Sequence, residues 1–417
     1  MMKLFAITRP AAAAVLSALL LAGAWSGSAQ AGPGYTDWFT PTEQSLQAWN
    51  FVEVEGEDTQ VLIRHKLPVA TGPILPVMVI FPRPSSAYDI AMNKILNVFE
   101  EKEINVEFLL YNFEKDHGSG KRALKIAEER GYRLIYAMGS ETTAWLWSNY
   151  RGGAVPIVSV CSKDPVVLGQ APSYEVGTGS NFAFTSLNMP IEVQMAYVKE
   201  LKPDLKNLGI LVNSKNVSAV ETQAKPMKRY AERLGIRVQE LAVESPEAAA
   251  EELEGLVSKA VAVMRKNDPT LSNSAFWITG STVVFREIAT INGNADRVPV
   301  LSVVPDVVMP GPDSAVLSIG VSFESNAHLA AIYGADVLQE RVKVGDLPVG
   351  IVSPPDIAIN FLKAREIGLE VPFSFFESAS FVYDYEGRIV RDNGKPVRGK
   401  PEGSKAAGGK PIAAKPE

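Results

Sequence analysis

The sequence is short of residues that staple, ligate or attack. It has one cysteine, Cys161, in 417 residues, so no internal disulfide can form. A small secreted domain needs such staples. A chain with roughly 380 mature residues buries a substantial core without them. Cys161 follows the apolar run Val155 to Val160, where a buried inert thiol is the plain reading. The three histidines, His65, His117 and His328, are isolated and lack metal-ligand spacing. No catalytic residue, metal site or cofactor is expected. Excess positive charge is missing too: 41 Lys and Arg stand against 47 Asp and Glu, a net charge of −6. Phosphate backbones need a concentrated basic face, so no nucleic-acid partner is expected. Long apolar runs are equally scarce. The one at the start, Ala11 to Ala24, falls short of the ~20 residues of a membrane span. Lys3 and Arg9 precede it and Ala29-Gln30-Ala31 follows, the build of an export signal. Residues 1–31 are expected to be cleaved off, leaving a soluble, periplasmic, monomeric chain. No cysteine at the cut offers itself for lipid attachment.

What is present is a regular alternation. After a segment at 32–74 carrying Trp38, Phe39, Trp49 and Phe51, which reads as an N-terminal extension packed on the body, Leu75 to Phe81 is apolar throughout and of strand length. Ser86 to Lys102 follows with helical spacing. Ile104 to Tyr111, Leu134 to Met138 and Val155 to Val160 read as further strands, separated by helical patterns at Gly118 to Arg130 and Thr142 to Tyr150. Gly177 to Met189 breaks the rhythm, and it restarts with strands at Leu208 to Val212, Ile236 to Val243, Ala275 to Thr279 and Val298 to Val303. Short apolar runs alternating with helices signify βαβ crossovers and parallel sheets. Two such series joined by an irregular segment predict an α/β protein of two Rossmann-like lobes, with a multi-strand hinge. Lobe 1 is expected at 75–185 plus 321–347 and lobe 2 at 186–320 plus 348–385. A helix at Ser325 to Val342, a short strand at Val349 to Val352 and a helix ending at Gly368 complete sheets begun earlier. Residues 386–417, rich in Lys, Arg, Gly, Pro and Ala, are expected to form a disordered basic tail.

Several stretches together resemble the ABC-transporter substrate-binding proteins of the tryptophan- and tyrosine-binding type. Val155-Pro156-Ile157-Val158 leads to Lys163-Asp164-Pro165-Val166 and Gly169, like that family's "ipivf…sDPv..G". Gly179-Ser180-Asn181-Phe182, Leu208 to Asn213, Arg233 to Ile236, Val298-Pro299-Val300, and Asp346 to Pro348 with Ile359-Asn360 and Ala364 to Pro372 follow in the family's order. The resemblance covers about Leu75 to Phe376. It implies a class I periplasmic-binding-protein fold, whose lobes close on a ligand and then dock on an inner-membrane ABC permease. The chain departs from the pattern at Thr279-Gly280-Ser281, where many relatives carry an Asp, and at Phe323, where a Tyr is common.

Ligands of open parallel sheets bind beyond the strands' carboxyl ends, which selects the loops after Phe81, Met138, Val160, Val212 and Thr279 and the hinge near Val321. The first loop offers Ser85, Ser86, Tyr88 and Asp89; helix capping by one of the serines is the plainer reading. Gly139, Ser140 and Thr142 form a second candidate, a glycine turn with hydroxyls at a helix start, suited to a carboxylate. Ser162 and Asp164 follow the third strand, Asp164 either pairing with a ligand amine or building a turn. Asn213, Ser281 and Thr282 supply neutral hydrogen-bonding groups from the second series, and Phe323 stands at the hinge. Other motifs fail. Gly118-Ser119-Gly120-Lys121 hints at a phosphate loop, but Lys115 occupies the first glycine's place and Arg122 that of the Ser or Thr.

The sequence therefore points to an extracytoplasmic receptor of an ABC uptake system that captures a small polar or zwitterionic solute, an amino acid among the candidates. A periplasmic sensing module that presents its closed form to a membrane signalling protein is the alternative, and an enzyme on the same fold a third.

Overall fold

The computed structural model describes residues 34–67 and 72–397. The expected signal peptide and the part of the tail past 397 lie outside the described residues. Among the described residues no helix is long and apolar enough to cross a membrane.

Two sheets organise the chain. The first contains β1 (Trp49–Val54), β2 (Glu57–His65), β3 (Leu75–Phe81), β4 (Val106–Asn112), β5 (Leu134–Met138), β6 (Ile157–Val160) and β7 (Phe182–Ala183), in the spatial order β1-β2-β4-β3-β5-β6-β7. β4, β3, β5, β6 and β7 run parallel; β1 and β2 are antiparallel additions beside β4. The continuous apolar run of β3 has a simple cause. Val77, Val79 and Phe81 face one core, while Met78 and Ile80 face another on the opposite side. A strand covered by helices on both faces has no polar side to show. The helices Ser86–Glu101 and Phe323–Leu338 pack together over the first of these cores. Lys94 on one pairs with Glu324 on the other at 3.0 Å.

β8 (Thr185–Ser186) then leads into the second sheet. This holds β9 (Asn207–Asn213), β10 (Arg237–Val243), β11 (Ser274–Ile278), β12 (Val300–Ser302) and β13 (Leu317–Gly320). The chain leaves it, returns through β14 (Gly350–Ile351), and adds β15 (Asp356–Asn360), β16 (Phe381–Tyr383), β17 (Ile389–Asp392) and β18 (Lys395–Pro396). The order is β10-β9-β11-β12-β13-β15-β16-β17-β18. Both lobes thus repeat one parallel plan, second-first-third-fourth-fifth strand. The chain passes between them three times: after β8, between β13 and the helix Phe323–Leu338, and after β14. β8 and β14 pair in parallel as a two-stranded ribbon of their own.

Two segments differ from the sequence-based expectation. The part of 32–74 that is described is no extension laid on a finished body. It contributes β1 and β2 to the sheet of lobe 1, joined by a two-residue turn in which Gly56 takes a φ of 76°. Trp38, Phe39 and Trp49 are buried beneath it, and Phe39 meets Phe51 and Phe81 ring to ring. Each such buried aromatic contributes about 1.5–3 kcal/mol of transfer free energy. Likewise, 386–397 is not a disordered tail as far as it is described. β17 and β18 form a hairpin at the outer edge of lobe 2, turned by Asn393 (φ 47°) and Gly394 (φ 72°). Left-handed conformations at both central residues make the turn that suits strand twist, and Asn-Gly is its favoured sequence. Basic composition hid that local signal.

Candidate functional site

In a sheet with this strand order the crevice opens where the order reverses, beyond the carboxyl ends of the first and third strands. In lobe 1 these are β3 and β5, in lobe 2 β9 and β11. A fifth turn, after β6, connects the two halves. At the end of β6 Cys161 adopts a left-handed backbone with φ 54°, an uncommon conformation without glycine. It is held there by Asn326, whose Oδ1 accepts the Cys161 N–H at 2.8 Å. Two residues on, the Lys163 amide donates to Ser140 Oγ at 2.9 Å and fastens this turn to the one after β5.

From that turn the Lys163 side chain crosses to lobe 2. It is only 6% exposed, and a Cβ on Gly280 would stand 2.2 Å from its Nζ. Gly280 donates its N–H to Gln223 Oε1 at 2.8 Å. Gln223 sits on a π-helical turn, Val220–Ala224, a one-turn widening that recurs at functional sites. Burial pushes the Lys163 ammonium down to about 8, the adjacent Cys161 acting weakly the other way. The Cys161 thiol is itself pushed up by burial, so it is protonated and a poor nucleophile. Near the hinge, Asp306 accepts the Phe323 N–H at 3.4 Å, and burial pushes its carboxyl up to about 6.

The polar atoms around this crossing are under-used. Eleven buried side-chain polar atoms lack a protein hydrogen-bond partner among the described residues, and five belong to the turns and hinge just described: Thr142 Oγ1, Ser162 Oγ, Asn188 Oδ1, Ser281 Oγ and Asn326 Nδ2. Native proteins satisfy nearly all such groups, which makes these five candidates for bonding a solute. Asn188 stands in the first lobe crossing, with its Nδ2 on the Thr222 carbonyl at 2.9 Å.

The residues expected from the sequence divide clearly. Ser140, Thr142, Ser162 and Ser281 come together here. Gly139 has a φ of 74°, and a side chain on it would collide with the Tyr88 ring. Tyr88 therefore packs beneath that turn as part of its floor, and burial raises its phenol. Glu141, beside the turn, is neutralised by Arg83 at 3.4 Å and Lys115 at 3.2 Å. Ser85 occupies the cap position of the helix Ser86–Glu101, but its hydroxyl makes no capping bond; Ser86 is half-buried in the first turn. Asp89 binds the Thr40 N–H at 3.1 Å and thereby anchors the N-terminal segment. Asp164 is committed to its own turn, accepting from the Val166 and Val167 amides and from Tyr174. Its carboxylate is spent on structure, which opposes the ligand-amine role. Asn213 likewise closes a turn by accepting the Lys215 N–H at 3.0 Å. Thr282 opens a short helix beside Ser281, and Phe323 is buried at the hinge. Lys163, Asn188, Gln223, Asp306 and Asn326 were not among the residues expected. Two surface grooves, one at Ile191, Pro226 and Arg229 and the other at Arg133, Leu338 and Lys343, lie away from these turns. Among the described residues no group of three His, Cys, Asp or Glu side chains could hold a metal ion.

Comparisons with known proteins bear on the family and the fold. The family described as "ABC transporter substrate binding protein" matches residues 77–382. A tyrosine-binding protein of Clostridioides difficile is 24% identical over 227 residues, which cover 54% of this chain and 60% of that protein. The match therefore spans less than two thirds of that relative's length. Among solved structures, a conserved domain protein from Vibrio cholerae superposes with a TM-score of 0.59 at 19% identity, covering 74% of this chain and 100% of the other. A domain from Streptococcus in complex with L-Trp gives 0.58 at 20% identity, with 74% and 100% covered. A ligand-free, open substrate-binding protein from Clostridium difficile gives 0.55 at 16% identity, with 73% and 98% covered. At these identities the superpositions establish a shared fold.

Proposed function

The chain belongs to the ABC transporter substrate-binding proteins, and from that premise we propose that it is an extracytoplasmic receptor. It captures a small polar or zwitterionic solute between its lobes and delivers it, in the closed form, to a membrane permease. An amino acid is the first candidate, because a curated relative is a tyrosine-binding protein.

The observation that carries this reading is the set of buried hydroxyl and amide groups without protein partners, drawn from both lobes and the hinge. A molecule seated there would bond to both lobes at once and thereby favour their closed arrangement. The chemistry on offer suits binding. One ammonium, several neutral hydroxyls and a carboxyl near Phe323 stand around a thiol kept protonated by burial. Ligand binding to the folded state alone raises stability by RT ln(1 + [L]/Kd), about 2.7 kcal/mol at a hundred times Kd. Thermal unfolding of the purified protein with millimolar L-tyrosine, L-tryptophan and the other common amino acids, then with small acids, amines and polyols, should therefore reveal a clear upward shift. No shift across that range would remove the receptor reading.

A further inference from the structure

We infer that Lys163 is the anion anchor of the interlobe cleft, and that the solute carries a single carboxylate held by its Nζ beside the Gly280-Ser281 turn. The inference rests on the receptor reading and names the chemistry that the receptor selects.

An ammonium in this position is hard to explain as architecture. Its residue is more than nine-tenths buried, and its Nζ has neither a hydrogen-bond acceptor nor a carboxylate partner among the described residues. A buried charge without a partner is expensive, and buried charges in proteins are paired. The groups around it do not supply the pair. On its own turn Cys161 is protonated and Asp164 is taken by three donors. On the helix Gly139–Tyr150, Glu141 is exposed and paired with Arg83 and Lys115. Tyr88, on the helix Ser86–Glu101, is a phenol held neutral. At the hinge Asp306 accepts a backbone amide. From lobe 2 come Gln223, Gly280 and Ser281, which bring no charge.

The surroundings fit a carboxylate in particular. One buried positive charge balances one negative charge, and the neighbouring free groups, Thr142, Ser162 and Ser281, are hydroxyls able to donate to its oxygens. Gly280 lets the ammonium come close to the turn, because a Cβ there would stand 2.2 Å from Nζ. Because the lysine stands on lobe 1 and the turn on lobe 2, an anion held by both also ties the lobes together.

Lys163→Met, similar in length and without charge, tests this in the full mature protein, with Lys163→Arg as the conservative partner. Solutes released by denaturing each protein are identified by mass spectrometry. The stripped proteins are then titrated by thermal shift with small carboxylates, matched amines and neutral polyols. Every solute that stabilises the wild type should carry a carboxylate, and Lys163→Met should weaken its binding about a hundredfold, while Lys163→Arg keeps part of it. Stripped Lys163→Met should melt at or above the wild-type temperature, since a structural lysine would do the reverse. Carboxylate binding unchanged in Lys163→Met, stabilisation by solutes without an anionic group, or a clearly lower melting temperature of the stripped variant would each overturn the anchor and leave the receptor reading standing. If neither protein releases nor binds any solute, the receptor reading falls and the anchor with it.

Discussion

The two lobes share a strand order and differ in nearly everything fastened to it. Lobe 1 is finished at its β4 edge by β1 and β2, with Trp38, Phe39 and Trp49 buried in the core. Lobe 2 is finished beyond β13 by β15 to β18, and its last hairpin is mostly exposed. At the crevice the contrast turns chemical. Lobe 1 brings the lysine and its hydroxyls, while lobe 2 brings a bare glycine turn, an amide and a serine. A repeated scaffold is finished differently at its edges, and on the proposed receptor reading its strand tips divide the work of recognition.

The largest effect that would sharpen the comparison concerns the edges. Phe39→Ala removes a fully buried ring between Trp38, Phe51 and Phe81 and should cost about 3–5 kcal/mol in denaturant unfolding. Ending the chain before β17 removes a mostly exposed hairpin and should cost less, about 1 kcal/mol, the typical scale of a single change. Equal costs would mean that the lobes are edged alike.

The next effect follows pH. The Lys163 ammonium titrates near 8 in the folded chain and at 10.5 when unfolded. Between those values the unfolded state binds more protons, so stability rises with pH, by an amount on the order of 3 kcal/mol. Asp306 acts in the opposite sense in a different window. Its carboxyl titrates near 6 against an ordinary 3.8, so its contribution falls as pH rises from about 4 to 6. Melting curves of stripped wild type, Lys163→Met and Asp306→Asn across both windows should show each slope vanish with its own residue. A slope that survives its residue's replacement assigns it elsewhere.

The smallest effect separates the facing turns. Ser162→Ala in lobe 1 and Ser281→Ala in lobe 2 should each weaken solute binding by about 1 kcal/mol and leave the stripped protein no less stable, because both hydroxyls lack protein partners. If only the lobe 1 variant weakens binding, lobe 2 serves as a cover and not as a second recognition surface.

Most of the fold was legible because it is written in runs. The seven apolar residues of β3 and the buried stretch of β9 have no reading other than interior parallel strands. The missed strands were written in pairs of residues: Glu55-Gly56 for the first hairpin and Asn393-Gly394 for the last. The surrounding composition outweighed both. At the cleft, the hydroxyls at Ser140, Thr142, Ser162 and Ser281 could be found from strand ends alone. Lys163 lay between two residues that were singled out and was passed over, because a lysine after a strand ordinarily points to water. Only the left-handed turn at Cys161 redirects it, and no residue type announces that turn. Gln223 depends on a π-helical widening, which has no sequence signature. Asp89 and Asp164 looked like ligand contacts because their competitors, the Thr40 amide and the Tyr174 hydroxyl, are distant in sequence or in another loop.

The three strands of chain that pass between the lobes leave little freedom in how the halves can travel. Bodies joined by threads lying side by side can nod about the line of the threads, but they resist sliding past one another or unscrewing. On the receptor proposed above, a bulkier solute would be admitted only by a wider opening between the lobes, and the angle between them would register its size.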